Sequence, residues 1–252
     1  MCHIRGREEK GKVTKSAKTE NFPVASLILA PEVRQKVLDF YRQARQWDDI
    51  ADSSTISADV KRATLSGGTD CVYLNDLLVA FRQDIDKTRY ADWAELMDYC
   101  SFSANPVGRF LLEIHGENKG YEASDALCTA LQILNHLQDC QKDFRALNRI
   151  YLPQSFLTKG QRYEYLLDQP QAKAPLRRVF DQCLERVEGL LTEARPLPDQ
   201  IKNRRLRYQA KATYLCALAL AGRLRRQDPL AKRVELGKLD KFLIAYKGFY
   251  PL

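Results

Sequence analysis

Two short aspartate-rich runs sit inside segments of helical apolar spacing, and they constrain this chain more than anything else in it. The first is Asp48-Asp49-Ile50-Ala51-Asp52; the second is Asn135-His136-Leu137-Gln138-Asp139-Cys140-Gln141-Lys142-Asp143. Residues three and four apart share a helix face. Tyr41, Arg45, Asp48, Asp49 and Asp52 therefore fall along one stripe, and Gln132, Asn135, Asp139 and Asp143 along another. A solvated helix face has no need of tyrosine, arginine and three aspartates lined up beside an apolar flank, whereas an inward-facing site does. Either cluster alone reads equally well as a surface face. Together, with Tyr41 and Arg45 in register, they favour two helices that face each other across a cavity. Hard oxygen ligands suit Mg²⁺, which keeps positions for water and substrate phosphates. Asp48 and Asp52 form one expected ligand pair, and Asn135, Asp139 and Asp143 a second set. Arg45 is expected to meet phosphate oxygens bidentately.

The remainder of the chain reads as helix. Its 252 residues and 45% hydrophobic content suffice for one large core, and glycine (12) and proline (10) are sparse. Residues 1–20 are polar and lysine-rich, and are expected to be mobile. Residues 21–252 are expected to form a single all-α domain. Pro31 stands where a helix starts, and the apolar positions from Val33 to Ala51 keep helical spacing. Residues 53–71 read as a short helix or loop, with a helix over 74–84 and a break over 87–92. The segment 93–115 is helical with an interruption at Asn105-Pro106. The second acidic run lies in a helix over 124–144, followed by an extended Arg149-Ile150-Tyr151-Leu152-Pro153. Further helices are expected over 172–194 and 199–226, then a basic amphipathic stretch from Leu230 to Leu252. Asn75 and Asp76 read as caps of the helix that follows them.

Composition narrows the function. The net charge of +8 favours acidic partners such as diphosphates or an anionic membrane surface. The arginine-rich segment from Arg204 to Arg226 lacks aromatic interleaving and any DNA-binding motif, which argues against nucleic acid. Seven scattered cysteines without a C-x-x-C pair read as reduced thiols of a cytosolic protein. Cys128 and Cys140 read as core, and His136, beside the acidic stripe, as a packed histidine. The charged N-terminus is not a signal peptide. The longest apolar run, Ala212 to Gly222, is too short to span a bilayer, so membrane contact is expected to be peripheral, on the cytoplasmic side of an inner membrane.

These parts suit loss of diphosphate. Cations neutralise the leaving group, and an apolar cavity between helices then holds isoprenoid tails away from water, with aromatic faces steadying positive charge. Phe22, Phe40, Tyr41, Tyr99, Phe102, Phe110, Leu111 and Ile114 supply the material.

Asn21 to Ser26, Phe40 to Asp52 and the Asn135-x-x-x-Asp139-x-x-x-Asp143 run with Arg149 to Pro153 resemble the squalene/phytoene synthases over about residues 19–225. Phe81 to Asp84 with Lys87 to Trp93, Ser103 to Arg109, and the Asn135–Asp143 run are similar to the bacterial hydroxysqualene synthase branch of the hopanoid pathway. The resemblance implies an isoprenoid-synthase-type bundle with a central cavity. It implies Mg²⁺-dependent conversion of presqualene diphosphate to hydroxysqualene, with water capturing the cation and no NADPH. Sister enzymes make the diphosphate and reduce the alcohol. Carried over, Asp48, Asp52, Asn135, Asp139 and Asp143 hold Mg²⁺ and Arg45 binds phosphate. Tyr41, Phe22 and Tyr151 line the reactive end, Gln132 contacts substrate, and Asn105, beside the helix break, is the expected polar group near the attacking water. Gln138 stands where many relatives have arginine, and Ser101 where condensing members have tyrosine; both departures speak against joining two molecules of farnesyl diphosphate. Two alternatives stay open: a squalene, presqualene diphosphate or phytoene synthase that condenses two prenyl diphosphates, and a non-catalytic scaffold of the kind that assists respiratory-complex assembly.

Overall fold

A computed structural model describes residues 29–247. Phe22 and the polar N-terminal stretch lie outside the described residues. The chain runs α1 (Pro31–Asp52), α2 (Ala58–Thr64), α3 (Val72–Asp86), β1 (Arg89–Tyr90), α4 (Trp93–Ser103), α5 (Asn105–Ile114), α6 (Tyr121–Leu147) and β2 (Ile150–Pro153). A 3₁₀ turn follows, then α7 (Tyr163–Leu167), α8 (Ala174–Ala194), α9 (Leu197–Gln200), α10 (Arg204–Arg226) and α11 (Lys238–Lys247). The all-helical isoprenoid-synthase bundle expected from the sequence is what forms.

The central element is α6, 27 residues long, which packs against α5, α8 and α10. Its ends are set by backbone conformation. Gly120 precedes it at φ 86° and Asn148 follows it at φ 51°. This left-handed region suits glycine and, next, asparagine. Leu127, Ala130, Leu134 and Leu137 of α6 are buried in the main core. α1 and α3 pack together and against α5 in a second cluster, where Phe40 stacks on Phe110 at 4.1 Å between ring centroids.

Pro31 occupies the first turn of α1, and the helix break falls at Ala104, one residue before Asn105-Pro106. Four expectations need correction. Asn75 does not cap: α3 starts at Val72, and the Asn75 amide instead clamps the preceding turn, accepting from Thr69 N at 2.8 Å and donating to Thr69 O at 2.9 Å. The stretch 199–226 is not one helix. The buried Glu117 carboxylate accepts from the backbone N–H groups of Lys202 (2.9 Å) and Asn203 (2.7 Å), and Asn203 then caps α10. Those N–H groups are thereby satisfied from outside the helix, and the chain turns. The segment 87–92 is more than a break, since β1 pairs in parallel with β2. Finally, Cys71 is disulfide-bonded, while Cys100, Cys128, Cys140, Cys183 and Cys216 are free.

Close approach of α5 to α6 depends on Gly108. A Cβ there would lie 2.2 Å from Ser124 Oγ and 2.7 Å from Cys128 Sγ, both on α6. Gly108→Ala should therefore cost about 1–3 kcal/mol as an overpacked contact, read as a lower denaturant midpoint at unchanged slope. A midpoint equal to the parent's would mean that the two helices separate freely.

Candidate active site

Two adjoining cavities open between α1 and α6. The first, about 320 Å³, is mainly apolar, and its wall includes Phe40, Ala44, Leu77, Phe81, Val107, Phe110, Leu127, Leu131 and Leu206. The second, about 480 Å³, is lined by Asp48, Asp52, Asp84, Asp139, Asp143, Lys142, Arg149, Arg233, His136 and Tyr151. Arg45, Asp48, Tyr99, Gln132 and Asn135 line both cavities and form the passage between them. The two acidic stripes thus converge, as their spacing predicts.

On α1, Arg45 donates to Asp48 Oδ2 and, at 2.5 Å, to Asp49 Oδ1. Tyr41, Arg45 and Asp48 line a cavity; Asp49 lines neither and serves as the far anchor of Arg45. Asp52 accepts from Arg149 Nη1 at 3.0 Å. On α6, Asp139 receives both Nε (2.8 Å) and Nη2 (3.2 Å) of Arg233, a residue of the strap between α10 and α11. Asp143 faces the same polar cavity.

Sequence reasoning missed the group that joins these stripes. Arg149 is 5% exposed. Besides Asp52, it donates to Asp84 O at 2.8 Å and Tyr151 Oη at 3.1 Å, and its Nε lies 3.5 Å from Asp84 Oδ1. The Asp84 carboxylate in turn accepts from Tyr99 Oη at 2.8 Å and Tyr151 Oη at 3.2 Å. Tyr151 stacks on Tyr90 at 5.5 Å and on His136 at 3.6 Å. Asp84 and Arg149 stand in stretches that carry the family resemblance, but 65 residues separate them; nothing in the spacing pairs them.

Asn105, expected near the attacking water, lines neither cavity. Its amide oxygen accepts from Thr129 Oγ1 at 2.9 Å, which turns it to α6. Ser101 is exposed, donates to Asp98 O at 2.6 Å and lines neither cavity. Gln138 also faces elsewhere: it is buried and donates to Val234 O, fastening the strap that carries Arg233 onto Asp139.

Electrostatics mark the polar cavity as short of cations. Burial pushes Asp143 up to about 7, and the neighbouring Asp139 and Asp52 add to it. Burial and then Asp52 raise Asp48 as well. The Asp48 side chain retains 28% exposure, but that surface faces the cavities and is screened less than bulk contact implies. Asp84 rises to about 6 through burial, held back by Arg149 and the Tyr99 hydroxyl. Among the described residues no three acidic, histidine or cysteine side chains gather tightly enough to hold an ion by themselves. The oxygen donors of Asp48 and Asp52, and of Asn135, Asp139 and Asp143, are of the type that could hold a hard cation whose other positions are filled by water or a ligand.

The model of the squalene/phytoene synthase family matches residues 69–240 of this chain. A hydroxysqualene synthase of Rhodopseudomonas palustris is 40% identical across 93% of this chain and 89% of its own length. Another, of Sinorhizobium fredii, is 40% identical across 89% and 86%. The crystal structure of the squalene synthase HpnC of Alicyclobacillus acidocaldarius superposes with a TM-score of 0.71 at 30% identity, over 84% of this chain and 90% of that one.

Burial, with Arg149 close by, pushes His136 down to about 3 from 6.5. A depressed histidine contributes stability that is complete above the unfolded value and is lost as pH falls toward the folded one. Asp84 and Asp143, raised rather than depressed, act in the opposite sense, so the comparison of variants is the readout. His136→Phe, which keeps a ring against Tyr151, should lose less Tm than the parent between pH 7 and pH 5, by calorimetry in chelator. Parallel profiles would place a protonated or exposed imidazole at this position.

Proposed function

The chain belongs to the squalene/phytoene synthase family, and on that premise we propose that it ionises presqualene diphosphate and gives the rearranged cation to water, forming hydroxysqualene and diphosphate. One observation carries this reading: a carboxylate- and arginine-lined cavity joined through five shared residues to an apolar one, which matches a charged head on greasy tails.

The site residues divide the work. Asp48, Asp52, Asn135, Asp139 and Asp143 are the ligands we assign to Mg²⁺, which when bound neutralises charge on the departing diphosphate. Arg45 reaches phosphate oxygens by releasing Asp48 or Asp49, and Lys142 and Arg149 line the same chamber. The carbon–oxygen bond breaks with its electron pair leaving on diphosphate. The tails lie along Phe40, Phe81, Phe110 and Leu131, where little water competes. Tyr99 lines the passage between the cavities, where an aromatic ring steadies positive charge. His136, held neutral by burial, does so without adding a competing cation. Water then adds to the carbocation and gives up a proton, leaving an alcohol. No reductant enters this balance, so NADPH is not needed. We further place the protein at the cytoplasmic surface of an anionic membrane, between an enzyme that supplies the diphosphate and one that reduces the alcohol.

Asp52→Asn and Asp139→Asn should each lower turnover about 10²-fold or more with little loss of stability, because the missing charge acts mainly on the leaving group. EDTA should abolish turnover and Mg²⁺ restore it. Full activity in excess EDTA ends the metal assignment.

The fate of the cation has its own test. Presqualene diphosphate supplied in ¹⁸O-water should give labelled alcohol at the same rate with and without NADPH. Squalene formed only when NADPH is added would overturn the reading, and product from farnesyl diphosphate alone would move the chain to the condensing enzymes.

A further inference from the structure

The C-terminal helix α11 turns its apolar side outward. Leu239, Phe242, Leu243 and Tyr246, spaced i, i+3, i+4, i+7, are 70%, 69%, 43% and 57% exposed and form one stripe. The opposite side ties the helix down. Ile244 is buried, and the Asp240 carboxylate accepts from Arg223 Nη2 and from Gly237 N, each at 2.6 Å. The outward stripe is thus fixed by contacts on the other face.

Charge identifies what covers it. The sequence has lysine at 238, 241 and 247, and helical spacing sets positions 238 and 247 on the two margins of the stripe. A self-complementary contact with a second copy would bring like charges together across the symmetry axis. An anionic lipid surface accepts both components at once: large apolar side chains in the acyl–headgroup boundary and lysines among the phosphates. Among the described residues no helix is long and apolar enough to cross a membrane, so the helix lies along the surface.

The strap leading into α11 touches the polar cavity. Arg233 holds Asp139, and the Val234 carbonyl accepts from Gln138. We propose that α11 is the membrane-docking element, seated in the plane of an anionic leaflet by Leu239, Phe242, Leu243 and Tyr246, and that it brings the cavity rim to the lipid phase. The docking rests on the geometry of the helix; only its purpose, drawing in a polyprenyl substrate, rests on the reaction assigned above.

The experiment uses the full chain and vesicles of phosphatidylcholine with or without phosphatidylglycerol, in the absence of substrate. The parent should co-sediment with the mixed vesicles and only weakly with the neutral ones. Leu239→Ser with Phe242→Ser should weaken partition about tenfold or more, since two large apolar side chains no longer enter the boundary, at unchanged Tm and sedimentation coefficient. Lys238→Gln with Lys247→Gln should weaken binding to the anionic vesicles alone. Unaltered vesicle binding by the serine variant overturns the proposal. A lowered Tm with unaltered binding would show the stripe packed within the chain, and a dimer dissociated by the substitutions would show it covered by a second copy; either result also overturns it. Because no turnover is measured, failure here leaves the reaction standing, and failure of the reaction leaves this measurement intact.

Discussion

The buried Arg149 guanidinium holds the site together. It reaches Asp52 at the end of α1, the carbonyl and carboxylate of Asp84 on α3, and the hydroxyl of Tyr151 on β2. An arginine this deeply enclosed is tolerated only when its charge is matched; both terminal nitrogens donate, while Nε makes no hydrogen bond and has only the Asp84 carboxylate near it. The matching carboxylates come from two helices, while the arginine arrives on the short link between α6 and β2. One cation thereby fixes α1, α3 and the end of α6 in mutual register, which is the condition for two acidic stripes to share a chamber. The β1–β2 pair is short, yet it is what delivers Arg149 and Tyr151 to that point.

Several chamber carboxylates are held by arginine: Asp48 by Arg45, Asp52 by Arg149 and Asp139 by Arg233. Such pairing lowers the cost of gathering like charges, and the raised Asp48 and Asp143 show that it does so incompletely. The surplus negative charge is a driving force for cation entry. Arginines of this kind also have a second use. A guanidinium that releases a carboxylate is already in place for a phosphate; in the reaction proposed above, Arg45 would exchange partners in this way without needing to be recruited. Arg149, pinned by four groups, has no such freedom, and its role is to position Asp52 and Tyr151.

What the sequence makes legible is whatever one element carries alone. The stripes on α1 and α6, the start at Pro31 and the break before Asn105-Pro106 follow from spacing or from proline chemistry within a single segment. The misreadings share a cause. The division of 199–226 depends on Glu117, a carboxylate far upstream. Asn75 resembles a cap, but its amide serves the turn at Thr69 because α3 begins three residues before it. Asp84, Arg149 and Arg233 act in the site through partners on other elements, and no local pattern marks them. Asn105 shows the limit from the other side: Pro106 locates the helix break to within two residues, yet the direction of the Asn105 side chain is decided by Thr129 on a neighbouring helix.

Helix α6 explains how one site serves two kinds of chemistry. Along a single stripe its residues grade from Leu127 and Leu131, through Gln132 and Asn135, to Asp139 and Asp143. At 1.5 Å per residue the stripe from Leu127 to Asp143 is about 24 Å long, the reach of an extended polyprenyl chain rather than of a small metabolite. The polarity changes along the helix axis, not around it, so the same face presents hydrocarbon at one end and carboxylate at the other. α1 repeats the gradient from Val37 and Phe40 through Arg45 to Asp52, and the apolar ends meet the same cavity. Two helices graded in the same sense give an amphiphile only one favourable orientation. Orientation is then settled by burial energy spread over the tails, and the charged groups are left to act on the head.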